Sequence, residues 1–318
     1  MSTELSLYEY IKANIRDGEL PENFRLPQDE ERSFDFAPGT RDGMYVFHSV
    51  PEKISDADQA SIKEFLEAAS DGDYDKAEEL VRLLGNKSTA LPVMADVQQY
   101  IADHVDFLSS ENLFQFACIL MEQSSDVESV KFGLGISMLF ICMDKDYKDT
   151  VRTLGLYDEF TLPAVINMLE WDRPVQEVFD IAKKVHGWGR IHAVDRLEPA
   201  TQEISDWIFR EGIDNTIDPG YSVFTCWMAS QADQRIKEPM DREDYEAAAR
   251  MLEALLKDTP APGLSILGNA EEILTDFLDR IKEQPKTDLV LVKNIRDFAA
   301  DENHKFEDIV SACEELMA

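Results

Sequence analysis

Apolar residues recur at three- and four-residue spacing through most of this chain, the mark of amphipathic helices and not of strands. The clearest stripe is Val127, Val130, Leu134, Met138 and Ile141. It follows Ser125-Asp126-Val127-Glu128, a capping box in which the serine and glutamate side chains satisfy two free backbone donors reciprocally. Leu7, Tyr10, Ile11 and Ile15 predict a first helix over 4–16, ended by Gly18 in a left-handed cap. From Ser55 onward, N-cap residues open amphipathic runs and glycine or proline closes them. The runs are 55–70, 74–84 (stopped by Gly85), 93–108, one opened by Ser110, and the striped helix. Further helices are predicted over 147–154, 160–169, 174–185, 188–197, 201–210, 221–230, 241–257, 270–283, 287–300 and 306–317.

The starts at Ser110, Asp144, Asp172 and Thr201 recur about every thirty residues, with two short helices in each interval, as in a helical solenoid. The expected fold is therefore all-α: an α-α superhelix of HEAT or ARM type with an irregular N-terminal wrap. Residues 1–54 would be the N-terminal helix and wrap, 55–240 the repeat body, and 241–318 C-terminal helices that continue or cap it.

The wrap lies between Pro21 and Pro51, where Pro27, Pro38, Gly39 and Gly43 interrupt any helix. Phe24, Phe34, Phe36, Tyr45 and Phe47 stand between them, and so many aromatics imply a segment laid down on the helical body. Arg41-Asp42-Gly43 would suit the turn of a short hairpin.

Charge narrows the partners. The 64 acidic residues against 31 basic give a net charge of −33, spread along the chain. Nucleic-acid binding needs a basic stripe that releases counterions, and the densest basic pair, Lys183-Lys184, is isolated, with the acidic Asp180 just before it. The four cysteines, Cys118, Cys142, Cys226 and Cys313, fit no Cys-x-x-Cys or zinc spacing and read as reduced core thiols. The N-terminus lacks the pattern of a signal peptide, and the longest apolar run, Gly133–Met143, falls short of the roughly 20 residues that span a bilayer. A cytoplasmic protein that engages no membrane is expected.

The most chemical stretch is His186-Gly187-Trp188-Gly189-Arg190-Ile191-His192. Gly187 reads as a corner between two helices. On a projection of 100° per residue, Ile191, Val194 and Leu197 form the buried arc of the second, with Trp188, His192 and Asp195 along one edge. Arg190 falls inside the arc and needs a carboxylate or carbonyl partner, because an unpaired buried charge costs several kcal/mol. It serves either as a tie between neighbouring helices or, with His186, Trp188, His192 and Asp195, as an anchor for a partner on a concave face. The two histidines lack the i, i+4 spacing of a helical metal site, so no metal and no cofactor is implied.

Other patterns reduce to structure. Asp71-Gly72-Asp73-Tyr74-Asp75 begins like a calcium loop, but Lys76 stands where the turn glycine belongs, and helix capping explains it. Gly133-Leu134-Gly135 follows no strand and reads as close helix packing. No nucleophile-elbow, phosphate-loop or Cys/His pattern is present.

The segments Phe36-Ala37-Pro38-Gly39 with Asp42-Gly43, Glu159-Phe160-Thr161, His186–His192, Leu197-Glu198-Pro199 and Ile204–Trp207 resemble a group of uncharacterised bacterial helical-repeat proteins related to HEAT and phycobilisome-lyase-like repeats. The resemblance covers about residues 20 to 235 and implies a curved α-α superhelix, with no catalytic residue to carry over. Some of those proteins bear a limonene hydroxylase label, yet the haem thiolate, flavin fold or iron triad that a monooxygenase needs is not recognisable here.

The expectation is a non-enzymatic scaffold that binds a protein or peptide around Trp188, Arg190 and His192. Two alternatives stand beside it: a small-molecule or metal-dependent enzyme centred on His186 and His192, and an acidic inhibitor or immunity-type protein that masks a basic partner.

Overall fold

Polar residues fall where the 3.6-residue turn carries them outward, and Ser, Asp or Thr stands before most of the apolar runs. The computed structural model describes residues 5–27, 36–50, 53–140, 142, 144–286 and 288–318. Among these residues the protein is all-α, with eighteen helices, 66% of positions helical and no strand. Ser6, Ser55, Asp73, Ser109, Asp126 and Asp144 each accept a first-turn backbone N–H of the helix they open. No helix of the described residues is long and apolar enough to cross a membrane.

Contacts divide the chain into two units, Met1–Arg196 and Leu197–Ala318, a boundary inside the 55–240 body drawn from sequence. The first unit holds α1 (Leu7–Asn14), α2 (Thr40–His48), α3 (Asp56–Ser70), α4 (Tyr74–Lys87), α5 (Ala90–Asp103) and α6 (Ser110–Gln123). It continues with α7 (Val127–Ser137), α8 (Lys145–Gly155), α9 (Asp158–Met168), α10 (Pro174–Ala182) and α11 (Trp188–Val194). Sequence neighbours pair, as in α3 with α4, α6 with α7 and α8 with α9. The hub is α7, which touches α4, α5, α6 and α9 and has every residue buried. Such burial requires close approach: a Cβ on Gly133 would stand 2.8 Å from the Ala117 carbonyl oxygen, so the Gly133/Gly135 pair serves packing. Phe65, Phe116 and Phe132 fill the adjoining core.

The second unit holds α12 (Gln202–Glu211), α13 (Val223–Ala229), α14 (Ala232–Arg235), α15 (Arg242–Leu255), α16 (Ala270–Lys282), α17 (Leu289–Ala299) and α18 (Glu307–Met317). Phe209, Trp227, Met251, Phe277 and Ile295 form its interior. Arg210 with Asp244 (2.8 Å) ties α12 to α15, and Arg235 with Asp206 (2.8 Å) ties α14 to α12.

Four local expectations change. Arg41-Asp42-Gly43 forms no hairpin turn; it lies in the first turn of α2, a helix that the sequence pattern did not announce. The capping box does not close on itself: Asp126 caps α7 by accepting the Ser129 N–H, and the Glu128 carboxylate reaches across to the Ala90 N–H at 2.7 Å. Gly85 does not stop α4, which runs to Lys87; a Cβ there would lie 2.8 Å from that of Glu128. Gly18 does not cap α1, which ends at Asn14; it sits at φ +87° in the turn that brings Arg16 and Glu19 together. Of the wrap's aromatics, Phe24, Tyr45 and Phe47 are half-buried and Phe36 is exposed. Phe34, Ile141 and Thr287 lie outside the described residues.

Candidate functional site

The chemistry of the first unit gathers around Lys131, on the fully buried α7. Its ammonium lies 2.6 Å from Glu159 Oε1 on α9, 2.8 Å from Asp42 Oδ2 on α2 and 3.8 Å from Glu128 Oε1 one turn back. Glu159 and Glu128 have second roles. Glu159 Oε2 accepts the Gly39 N–H at 2.6 Å and so caps α2, which has no cap of its own. Glu128 Oε2 accepts the Ala90 N–H and does the same for α5. A carboxylate at a helix N-terminus is favoured by the unsatisfied N–H groups and the dipole there.

Burial alone would lower the Lys131 pKa, but Glu159, Asp42 and Glu128 outweigh it and hold the ammonium above its ordinary value. The Asp42 carboxyl is raised by desolvation, with Lys131 pulling the other way. Desolvation also raises Glu128, against Lys131 and the Ala90 N–H. Lys131 is thus a fixed cation. An amine held protonated by three carboxylates is no nucleophile at neutral pH.

Asp42 and Lys131 are the only ionisable side chains, among the described residues, on the wall of a cavity of about 240 Å³. Leu91 and Met94 of α5 line it from one side, Leu162, Pro163 and Ile166 of α9 from another, with Gly135 of α7 and Met138 just after it. Gln98 is held at the wall by donating to the Gly135 carbonyl at 2.9 Å. Asp42 Oδ1 is buried and accepts no hydrogen bond from the described residues.

The stretch 186–195 forms a second cluster beside it. Asp158 is half-buried and accepts the Gly187 N–H (3.2 Å to Oδ2) and the Gly189 N–H (2.9 Å to Oδ1), which caps the start of α11. A side chain at 189 would place its Cβ 2.4 Å from Asp158 Oδ1 and from Thr161 Oγ1, so this approach needs glycine. Desolvation pushes the Asp158 pKa up to about 6 even though those two N–H groups lower it.

Trp188, Arg190 and His192, read either as a tie within the core or as anchors on a concave face, are 2%, 5% and 1% exposed. Trp188 donates from Nε1 to Thr40 Oγ1 at 3.2 Å and covers Gly43. The Arg190 guanidinium donates to the Ala182 carbonyl at the end of α10, the kind of carbonyl tie its place in the apolar arc demands. His192 stacks on Trp188 (6.1 Å between ring centroids) and Phe47 (6.3 Å). Burial, then the nearby Arg196 and Lys131 charges, lowers the His192 pKa to about 3, which keeps the ring neutral. His186 is half-buried, and Asp195 is exposed with Arg196 3.3 Å away. Among the described residues no three His, Cys, Asp or Glu side chains are placed to hold a metal ion.

The Lys131 hub went unread in the sequence although one signal was present. Lys131 is the only charged residue between Glu128 and Asp144, in an otherwise apolar run, and a cation so placed must find carboxylates. Which carboxylates it finds depends on α2 and α9, distant in sequence. Comparison with protein-family models, curated proteins and solved structures gives no match, so the site is read from its own chemistry.

Proposed function

We propose that this chain is a non-enzymatic helical binding protein that holds a small, mostly apolar molecule in the cavity among α2, α5, α7 and α9. The observation that carries this reading is a mostly apolar cavity of about 240 Å³ lined in part by Asp42, a buried residue whose Oδ1 accepts no hydrogen bond from the described residues. Ligand sites commonly join apolar walls to a few placed polar groups in this way. A cavity near 150 Å³ holds benzene, so this one suits a body of about ten non-hydrogen atoms. The charged groups serve structure: Lys131 is surrounded by three carboxylates, and two of those carboxylates cap helices.

The test is a thermal-shift and calorimetric screen of small aromatic and alicyclic compounds against wild type and Ile166→Trp, which adds an indole at a half-buried wall position. Binding by wild type that the variant loses is expected. Absence of binding by every compound, or equal binding by the folded variant, overturns the reading.

A second reading keeps the HEAT-like superhelix as a scaffold for a protein or peptide. It is supported by the pairing of neighbouring helices and by exposed Phe36, Met44, Val46 and Val50 on and beside α2. With Trp188, Arg190 and His192 enclosed, direct contact would fall to this apolar face and to His186 and Asp195. Pull-down with Met44→Ser/Val46→Ser tests it, and unchanged recovery of every partner counts against it.

A further inference from the structure

We propose that the ligand of this cavity is a protonated amine on a compact hydrocarbon body, its ammonium received by Asp42. The inference rests on the cavity being a ligand site and names the chemistry of what enters.

Donor and acceptor inventory decides the head group. An ammonium has three N–H donors and no acceptor. Lys131 donates to Glu159 and Asp42 at 2.6 and 2.8 Å and pairs with Glu128 at 3.8 Å, so three carboxylates already offset its charge and compete with any anionic ligand. The acceptor side is incomplete. Glu159 and Glu128 each accept a helix-terminal N–H besides facing Lys131, whereas Asp42 has Lys131 on Oδ2 and no hydrogen bond from the described residues on Oδ1. A ligand must therefore bring a donor. A carboxylate or phosphate head would meet Asp42 with like charge.

Charge then favours an ammonium over a hydroxyl. One lysine faces three carboxylates in this desolvated site, and their mutual repulsion adds to the desolvation that raises Asp42 and Glu128, with Arg41 only weakly opposing it at Asp42. A cation entering beside Asp42 offsets part of that repulsion, and ionic hydrogen bonds are about twice as strong as neutral ones. The net charge of −33 also raises the local concentration of small cations. Gln98, whose amide N–H donates to the Gly135 carbonyl, is the one other polar side chain on the wall among the described residues; Leu91, Met94, Met138, Leu162, Pro163 and Ile166 are apolar, so the body of the ligand is mostly hydrocarbon.

The experiment compares three probes of one shape and different head: 2-phenylethylamine, 2-phenylethanol and phenylacetate, titrated by calorimetry into the full chain at 0.15 M salt. The amine is expected to bind about tenfold or more tightly than the alcohol, with phenylacetate below detection. Asp42→Asn brings the amine to the alcohol's affinity, and Ile166→Trp removes both. The head-group order is measured on wild type, so it stands whether or not Asp42→Asn folds. Equal binding of amine and alcohol, or preference for phenylacetate, with loss in Ile166→Trp overturns the amine assignment and leaves the cavity as a ligand site. No binding by any probe overturns both.

Discussion

Gly43 and Trp188 meet with no room for a single methyl: a Cβ on Gly43 would stand 2.2 Å from Cε3 of the indole. This contact, with the Trp188 to Thr40 hydrogen bond, seats α2 on α11 and so holds Asp42 at the cavity wall. Gly43→Ala is accordingly expected to lift α2. Limited proteolysis between α2 and α3 should speed up and stability should fall by about 1–3 kcal/mol, the usual cost of overpacking. Wild-type proteolysis kinetics in the variant would show that α2 is held by other means.

Gly189 sits inside α11, where alanine would normally gain about 1 kcal/mol of helix propensity. The prediction is the opposite sign. Gly189→Ala places a carbon 2.4 Å from both Asp158 Oδ1 and Thr161 Oγ1, and urea unfolding should show a loss of about 1–3 kcal/mol. A midpoint at or above wild type would mean that α11 does not dock on Asp158 as described.

Lys131→Met leaves Asp42 and Glu159 buried without their cation. Breaking one side of a buried ion cluster costs about 3–5 kcal/mol, and that loss is expected at pH 7. The orphaned carboxylates then take up protons more readily in the folded state than in the unfolded chain, so the variant's deficit should shrink between pH 7 and pH 5. Urea midpoints at the two pH values check this. A deficit that does not depend on pH points to lost packing alone.

His192 and Asp158 act oppositely on stability in acid. His192 has its folded pKa lowered to about 3, so its contribution is full above the unfolded value of about 6.5 and declines as pH falls below it, by about 1.4 kcal/mol per pH unit. Asp158 has its folded pKa raised to about 6, so its contribution is full below the unfolded value near 3.8 and is lost as pH rises through 6. The two slopes largely cancel between pH 4 and 6 in wild type. His192→Phe, which keeps the stack on Trp188 and Phe47, should remove one slope and become relatively more stable as pH drops from 6.5 to 4. A parallel pH profile for wild type and variant would contradict the neutral, enclosed imidazole.

The helices were legible because their information is local. Ser55, Asp73, Asp144 and Asp241 cap their own first turns, and the 3.6-residue pattern located the bodies between them. Arg190 was legible for a related reason, since its place in the apolar arc demanded the carbonyl it finds at Ala182. What stayed hidden is non-local. The pattern around Asp42-Gly43 reads as a turn, because nothing nearby announces that Glu159 will cap the helix and that Trp188 will fill the space above the glycine. Glu128 misled in the same way: its spacing from Ser125 fits a local box, but its partner is the Ala90 N–H. Trp188, Arg190 and His192 were judged by residue type, and their burial came from α2, α9 and α10 packing against α11.

Three helices, α2, α5 and α11, lack an N-cap side chain of their own and borrow Glu159, Glu128 and Asp158 from α9 and α7. Short helices nucleate poorly in isolation, and α2 and α11 have only nine and seven residues. Their formation is therefore contingent on α7 and α9 being in place, whatever the order in which the chain leaves the ribosome. Accordingly α2 is expected to form late in folding, and a truncated chain that ends before residue 158 is expected to carry its sequence without its helix.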